Sequence, residues 1–530
     1  MRQIHPSAWV LVAASAALQA LIFPLPGLYL FSWIALAPLI LALLRTRTGE
    51  LEFENGAKLH PATPVQAFVL AYVCGIIWYA STCYWIYDTM RQYGGLSGAM
   101  AVLVLFLFCC YLALYHGAFG LLFSLVAGRD RDIRWPLVTA PFLWVAVELA
   151  RTRITAFPWN LLGTAQVDNV ALCRIASWTG VYGISFEIVL VNVALAAAFL
   201  VPREKRSALL VAGLAAAAVL QAGRLIEAPP AKADHSALLV QQNIPVAVEW
   251  TPTNYANTLR ELTQLTTQFA TAHPERRFDP IVWPESPAPF YTNDTQFRRD
   301  LSGMALASDA WVVAGSIGTA MQRARTDDPV FNSASLISPD GRWVDRYDKV
   351  HLVPFGEYLP FPRLFSFAGG LTKEVGQFER GTSRKPLDAG NTKLGAFICY
   401  ESVFPDEVRQ FAANGAQVFV NISNDGWYGD SGAYAQHLNQ TRLRAIENNR
   451  WILSATDTGV TASIDPLGRV AARIPRKQRA ALDAPYSPIA VPTFYTRHGD
   501  WFAYLCAIIS VGTLVARFIH SNRKKVNAPS

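Results

Sequence analysis

Residues 394–405 read LGAFICYESVFP: a smooth, largely apolar run, Leu394–Ile398, breaks into a thiol, a phenol and a carboxylate at Cys399, Tyr400 and Glu401. The run predicts a buried strand that delivers Cys399 at its carboxyl end. Ligand sites in α/β sheets gather outside the carboxyl ends of strands. The flanking chain supports this reading. Asp406–Ala413 predicts a helix and Gln417–Ile422 the next strand.

Outward from this stretch the alternation continues. Ala237–Asn243 (ALLVQQN), Ile281–Glu285 (IVWPE) and Trp311–Ile317 (WVVAGSI) predict strands. Thr251 and Pro252 open a helix that runs to about Ala272, with threonine as cap and proline in the first turn. Phe297–Ala307 and Ala433–Asn448 predict further helices. Ser335–Lys349 predicts a hairpin turning at Pro339-Asp340-Gly341, and Ile452–Arg473 a second one turning at Asp465-Pro466-Leu467-Gly468. Strands alternating with helices, with hairpins inserted, predict a mixed sheet covered by helices.

The rest of the chain is written for a different solvent. Over all 530 residues, 52% are apolar and only 16% charged, against roughly 25% charged in soluble domains. Apolar runs lie near 8–23, 27–44, 65–87, 97–127, 136–150, 177–201, 206–224 and 500–518. Several approach the ~20 residues that cross a ~30 Å hydrocarbon core. The run 136–150 is short and carries Glu148. The first run, behind Arg2, has the outline of a signal peptide, but the turn Pro24-Leu25-Pro26-Gly27 leads straight into a second run and favours a transmembrane hairpin. The expected organisation is a transmembrane helical domain of about seven spans over 1–224, a polar domain over 225–498, and a C-terminal transmembrane helix with a basic tail over 499–530.

The net charge of +7 sits largely in short clusters between these runs: Arg2; Arg45 and Arg47; Arg129, Arg131 and Arg134; Arg203, Lys205 and Arg206; Arg523, Lys524 and Lys525. All five clusters fall on one side if eight spans alternate. The positive-inside bias makes that side cytoplasmic and puts 225–498 on the outer face. Arg151 and Arg153 break the pattern. Charge dispersed in this way is not the basic patch of a nucleic-acid protein, so no nucleic-acid partner is expected.

Six of the seven cysteines, Cys74, Cys83, Cys109, Cys110, Cys173 and Cys506, lie in or beside apolar runs, where they pass as small hydrophobes. Cys399 alone lies in the polar domain and has no disulfide partner there. Two other predicted strand ends carry matching chemistry. Glu285 closes Ile281–Pro284, and Lys349 closes Trp343–Asp348. A thiol needs a base to become a nucleophile, and a glutamate serves if burial raises its pKa. An ammonium and backbone N–H groups stabilise the oxyanion formed by attack on a carbonyl. Together the three make an acyl-transfer set. His351, two residues beyond Lys349, makes a Cys–His pair conceivable, but we rank it as a structural or hydrogen-bonding residue. His235, His273, His437 and His498 show no metal-ligand spacing. No glycine-rich phosphate motif appears, and neither cofactor nor metal is expected. Asp88, His116, Glu148, Glu187 and Asn192 are polar residues inside or beside apolar runs, where such groups are costly.

The words Trp283-Pro284-Glu285, Tyr347-Asp348-Lys349 and Cys399-Tyr400-Glu401 resemble the three signatures of the nitrilase superfamily of carbon–nitrogen hydrolases. The resemblance covers roughly 235–480 and implies an αββα sandwich with a Glu–Lys–Cys triad. Tyr347–Pro360 (YDKVHLVPFGEYLP), Cys399–Pro405 (CYESVFP) and Asn421–Gly429 (NISNDGWYG), flanked by membrane spans, resemble more narrowly the apolipoprotein N-acyltransferase family of the bacterial inner membrane. That likeness implies a polytopic α-helical membrane domain joined to a nitrilase-like catalytic domain facing the periplasm. It implies a phospholipid donor whose sn-1 acyl chain passes to cysteine as a thioester. The acceptor is the N-terminal diacylglyceryl-cysteine of an apolipoprotein. By motif, Glu285 is the base, Lys349 the oxyanion stabiliser and Cys399 the nucleophile. Glu357 supports the base and Lys349, Tyr400 and Glu401 orient the thioester and the amine, and Trp250 and Trp427 sit near the substrate mouth.

Residues 354–378 carry Phe355, Phe361, Phe365, Phe367 and Phe378 with few secondary-structure signals, which reads as a lid dipping into the interface. The protein is expected to be a monomer in the bilayer. Two other classes use the same features: a membrane-tethered amidase releasing its acyl group to water, and a transporter with an external binding domain.

Overall fold

The computed structural model describes residues 4–44, 61–128, 133–200, 203–225, 228–286, 288–319, 329–358 and 378–526. The basic residues Arg2, Arg45, Arg47, Arg129 and Arg131, and residues 359–377 of the expected lid, lie outside them. The chain forms two compact units, one from Met1–Tyr87, Ala99–Glu227 and Asp500–Ser530, the other from Asp88–Gly98 and Ala228–Gly499.

The first unit is helical. Among the described residues five helices are long and apolar enough to cross a membrane: Pro64–Thr82, Gly98–Ala127, Val181–Ala198, Arg206–Leu225 and Trp501–His520. The other three apolar runs differ from full spans. Pro6–Leu21 is a helix of 16 residues and Arg134–Ala150 one of 17. The run 27–44 is broken into a 3₁₀ turn, Tyr29–Trp33, and a short helix, Ala37–Leu44. Asn192 repairs this break. Its Oδ1 accepts from the N–H groups of Leu36 and Ala37 at 2.7 and 3.0 Å, and its Nδ2 donates to the carbonyls of Ser32 and Ile188 at 2.7 and 2.8 Å. In an apolar surround every backbone group must find such a partner.

Glu148 works similarly, accepting from the N–H of Leu162 at 2.7 Å, and His116 faces Gln19 at 3.3 Å. The two arginines that break the basic pattern are both engaged by side chains of this unit. Arg151 is buried, donates to the Tyr79 hydroxyl at 2.8 Å and lies over the Trp78 and Tyr79 rings. Arg153 pairs with Asp500 at 2.6 Å.

The second unit is a sandwich of two six-stranded sheets. Its strands in chain order are β1 (His235–Gln241), β2 (Phe278–Val282), β3 (Val312–Thr319), β4 (Val330–Ile337), β5 (Trp343–Asp348), β6 (Leu387–Ala389), β7 (Thr392–Ile398), β8 (Val418–Ser423), β9 (Ile452–Thr456), β10 (Thr461–Ile464), β11 (Val470–Ile474) and β12 (Ala480–Tyr486). One sheet runs β12-β1-β2-β3-β4-β5 and the other β11-β10-β9-β8-β7-β6. In each, parallel strands form the centre, β1–β2–β3 and β7–β8–β9, and antiparallel pairs form the rims.

Strand periodicity sorts the side chains. Ala237 and Leu239 of β1 face the inter-sheet core with Leu394, Ala396 and Ile398 of β7. Leu238 and Val240 point the other way and pack with Leu259, Leu262, Phe297 and Leu301 of helices Pro252–Ala272 and Thr295–Ser308. Thr251 caps the first of these, accepting from the N–H of Asn254 at 3.2 Å. The predicted second hairpin is three strands, because β9 already pairs antiparallel with β10 before the Asp465–Gly468 turn leads into β11.

Candidate active site

Glu285, Lys349 and Cys399 each follow a strand directly or within three residues, after β2, β5 and β7. Strand β3 lets the first of them in close. A Cβ on Gly315 would lie 2.1 Å from the Pro284 carbonyl oxygen and 2.5 Å from the Ser286 nitrogen, so only glycine admits the Glu285 segment there. The Lys349 backbone is tied at both ends, its N–H to the Asn332 carbonyl at 2.8 Å and its carbonyl to the N–H of Gly381 at 2.9 Å. Cys399 sits at φ +51°, left-handed for a residue with a Cβ. Strain of this kind persists only where the surroundings over-determine it.

The structure gathers the predicted charges around this cysteine. Lys349, 1% exposed, donates to Glu357 Oε1 at 2.9 Å and stands 3.6 Å from Glu285 Oε1. Burial alone would depress its ammonium. The carboxylates of Glu357 and Glu285, with Cys399, outweigh that and hold its pKa above the ordinary lysine value, so it is a fixed cation. Two carboxylates this close would repel without the lysine and Asn332. The amide Nδ2 of Asn332 donates to Glu285 Oε1 at 2.7 Å and to Glu357 Oε1 at 2.6 Å. Glu285 Oε2 takes the N–H of Asn424 at 2.8 Å, and Glu357 Oε2 that of Val353 at 2.7 Å.

Burial, first, and then the charges of Glu285 and Asp425 push the Cys399 thiol well above the usual range, while Lys349 and the Ser423 hydroxyl pull it down. The resting sulfur is therefore a protonated thiol among groups able to take its proton and to stabilise negative charge.

The other predicted residues divide. Glu401, 2% exposed, is fully engaged by the protein. Oε1 accepts from the Tyr347 hydroxyl at 2.7 Å and the N–H groups of Val350 and His351 at 2.8 and 3.0 Å, and Oε2 from the N–H of Ile398 at 2.8 Å. It clamps the strand ends that carry Lys349 and Cys399 to one another. Tyr400 is buried against Phe404, ring centroids 5.2 Å apart. His351 turns to Glu407, Nδ1 to Oε1 at 3.0 Å, and lies on Phe404. Trp250 is 36% exposed on the segment before helix Pro252–Ala272. Trp427 meets Asp88–Gly98, the short segment that belongs with the sandwich: its carbonyl accepts from the Thr89 hydroxyl at 2.9 Å and its ring stands edge-on to Tyr93.

Sequence reasoning did not find Asn332, Asp425 or His437. The first lies inside β4 and looks like an ordinary strand polar residue, and His437 has no metal-ligand spacing or motif in the sequence to single it out. Asp425 lies in the NISNDGWYG word, where it carried no role. Among the described residues no group of three or more His, Cys, Asp or Glu is arranged to hold a metal ion.

The carbon–nitrogen hydrolase family model matches residues 237–486, the sandwich, and the model of the apolipoprotein N-acyltransferase N-terminal domain matches residues 15–194. An apolipoprotein N-acyltransferase from Geobacter metallireducens is 34% identical over 528 residues, 98% of this chain and 96% of that protein. One from Methylococcus capsulatus is 33% identical over 92% of each chain, and one from Nitrosomonas europaea 31% identical over 87% of this chain and 90% of that one. The likeness runs through the helical unit and the nitrilase-fold sandwich alike, and on it this chain belongs to the apolipoprotein N-acyltransferase family and is an acyltransferase.

Proposed function

We propose that the protein transfers an acyl chain from a phospholipid to the α-amino group of the N-terminal diacylglyceryl-cysteine of apolipoproteins, through a thioester on Cys399. The observation that carries this reading is the buried cluster of Glu285, Lys349 and Glu357 around a left-handed cysteine. In the first half-reaction Glu285 takes the thiol proton. The thiolate attacks the sn-1 ester carbonyl, and the oxyanion forms facing Lys349. On collapse the C–O bond breaks, and Glu285 returns the proton to the departing glycerol oxygen. In the second half-reaction the neutral amine attacks the thioester carbonyl and gives its proton to Glu285. The C–S bond breaks, and the sulfur recovers a proton. Splitting one transfer in two lets donor and acceptor visit in turn.

Glu357 and Asn332 hold Lys349 and Glu285 in register, and Glu401 and Tyr400 fix the turn that carries the sulfur. Trp250 and Trp427 lie toward the substrate mouth. The setting is the bacterial inner membrane with the sandwich on the periplasmic side, domains dividing near 225 and 498, and a monomer as the working unit. Both termini are then cytoplasmic, and reporter fusions at Gly390 and Ser530 give opposite signals.

Purified enzyme given phospholipid alone releases one lysophospholipid per active site in a burst, and its intact mass rises by one acyl group located on Cys399. Lysophospholipid released only when acceptor is present overturns the carrier mechanism. Continuous release of free fatty acid without an amine favours the tethered amidase instead.

A further inference from the structure

Two buried groups outside the Glu–Lys–Cys set are bonded to one another beside the cysteine. His437, on helix Ala433–Asn448, is 2% exposed and Asp425 4%. Nδ1 of His437 lies 3.1 Å from Asp425 Oδ1. Its Nε2 lies 3.1 Å from the carbonyl oxygen of Cys399 and 2.8 Å from the Ser402 hydroxyl. Asp425 Oδ1 also accepts from the Ser423 hydroxyl at 2.7 Å, and Ser423 and Asp425 both act on the Cys399 thiol, the first lowering its pKa and the second raising it. A bonded chain thus runs from Ser423 through Asp425 and His437 to the carbonyl of Cys399. Gly459 passes so close behind the aspartate that a Cβ would lie 2.3 Å from Oδ2, which blocks its retreat.

We propose that Asp425 and His437 are a positioning pair for acyl transfer: the imidazole holds the Cys399 carbonyl in its left-handed turn, and its positive charge cancels the aspartate that the sulfur would otherwise face. This inference rests on Cys399 being the acyl carrier. Burial disfavours the imidazolium, but Asp425, the Cys399 carbonyl and Glu285 outweigh it and raise the His437 pKa. As an imidazolium, both ring nitrogens donate, which satisfies Asp425 and Cys399 together. The charged or titratable groups facing the sulfur are Glu285, Lys349 and Asp425, with Tyr428 close by. Those facing His437 are Asp425, Glu285 and the Tyr428 ring.

The two members of the pair then have opposite effects on the thiol. His437→Gln keeps a donor but leaves Asp425 uncompensated, so the thiol pKa rises. Asp425→Asn removes the negative charge, keeps the shape, and lowers it. The full-length protein in detergent is alkylated with iodoacetamide across pH, and the reaction is read at the peptide bearing Cys399. His437→Gln displaces the profile to higher pH, about tenfold slower at neutral pH for each pKa unit, and Asp425→Asn displaces it to lower pH. In burst assays His437→Gln lowers kcat about tenfold with KM unchanged. Profiles that move in the same direction or do not move, or a rise in KM alone, overturn the proposal. If His437→Gln does not fold, the isosteric Asp425→Asn decides: a downward displacement supports the pair, an unchanged or upward one sinks it. Alkylation needs no lipid, so it reads the pair even where wild-type protein releases no lysophospholipid, a result that would count against the acyl-carrier reading itself.

Discussion

Asn192 in the helical unit and Asn332 in the sandwich are both buried amides, 0% and 4% exposed, yet they bond to opposite things. Asn192 bonds to backbone: two N–H groups and two carbonyls at a helix break. Asn332 gives its side-chain amide to two carboxylates, Glu285 and Glu357, that would otherwise repel. The same contrast separates the cysteines. Cys74, Cys83, Cys109, Cys173 and Cys506 are buried on or beside apolar helices. Cys399 is buried too, but in a left-handed turn among Glu285, Lys349 and Asp425. Burial by itself therefore does not mark function. What sets Cys399 apart is burial of several charges around one reactive atom, an arrangement that desolvation disfavours unless every charge is answered.

The strongest way to break this comparison is to remove the charges one at a time. Cys399→Ala abolishes both adduct and transfer, whereas Cys74→Ala or Cys506→Ala leaves the burst intact. Lys349→Ala costs about 10²–10³ in lysophospholipid release, the range for a lost oxyanion donor. Lys349→Arg costs nearly as much, because a planar guanidinium does not fit a pocket built for a point charge. Near-normal turnover in the arginine variant would refute the role of Lys349.

The two asparagines come next. Asn332→Ala lowers kcat by about one to two orders of magnitude, in line with a lost charge-assisted bond of about 1.5–3 kcal/mol, with little loss of folded protein. Asn192→Ala does the reverse. It strands backbone groups in an apolar surround, each worth about 1–3 kcal/mol, so yield and thermal stability fall while kcat per folded molecule holds. Matching behaviour of the two variants would erase the distinction.

The third effect is a displacement along the pH axis. Lys349 pulls the Cys399 pKa down against burial and Glu285. Removing it leaves the thiol protonated to higher pH, so in Lys349→Ala the alkylation rate of Cys399 rises only at more alkaline pH than in wild type. A profile moved to lower pH would mean the ammonium does not face the sulfur.

The smallest effect concerns Asp457, where one buried carboxylate lies outside the cluster. Its Oδ1 accepts from the N–H of Ile244 at 3.2 Å, Oδ2 meets no partner among the described residues, and burial pushes its pKa up to about 7. The unfolded value is about 3.9. The folded state thus binds the extra proton between these values, and stability falls as pH rises through that window. Asp457→Asn keeps the bond and drops the charge. Its Tm gain over wild type is small at pH 5 and grows by a few degrees at pH 8, read by thermal denaturation in detergent. An equal gain at both pH values would mean the carboxylate ionises without penalty.

Much of the sandwich was legible because its signals are local. Thr251 and Pro252 mark a helix start, Gly341 a turn, and Leu394–Ile398 a buried strand, each through interactions within a few residues. Strand β12 was not legible: Ala480–Tyr486 holds Asp483 and Pro485, which argue against a central strand. It is an edge strand beside β1, where proline is tolerated. The run 27–44 read as a span because apolarity does not report helix continuity. The break there is stabilised by Asn192, more than 150 residues away.

From the sequence alone came the membrane character, the strand–helix alternation, and three reactive side chains at strand ends, since composition and periodicity record which solvent each face meets. Only the tertiary structure decided which of the many polar residues surround the sulfur. Asn332 reaches Glu285 across 47 residues of chain, Glu285 reaches Asn424 across 139, and His437 reaches the Cys399 carbonyl across 38. No local pattern encodes such pairings. They exist because two sheets stack their strand ends at one place, and there buried charges must find each other or go unpaired.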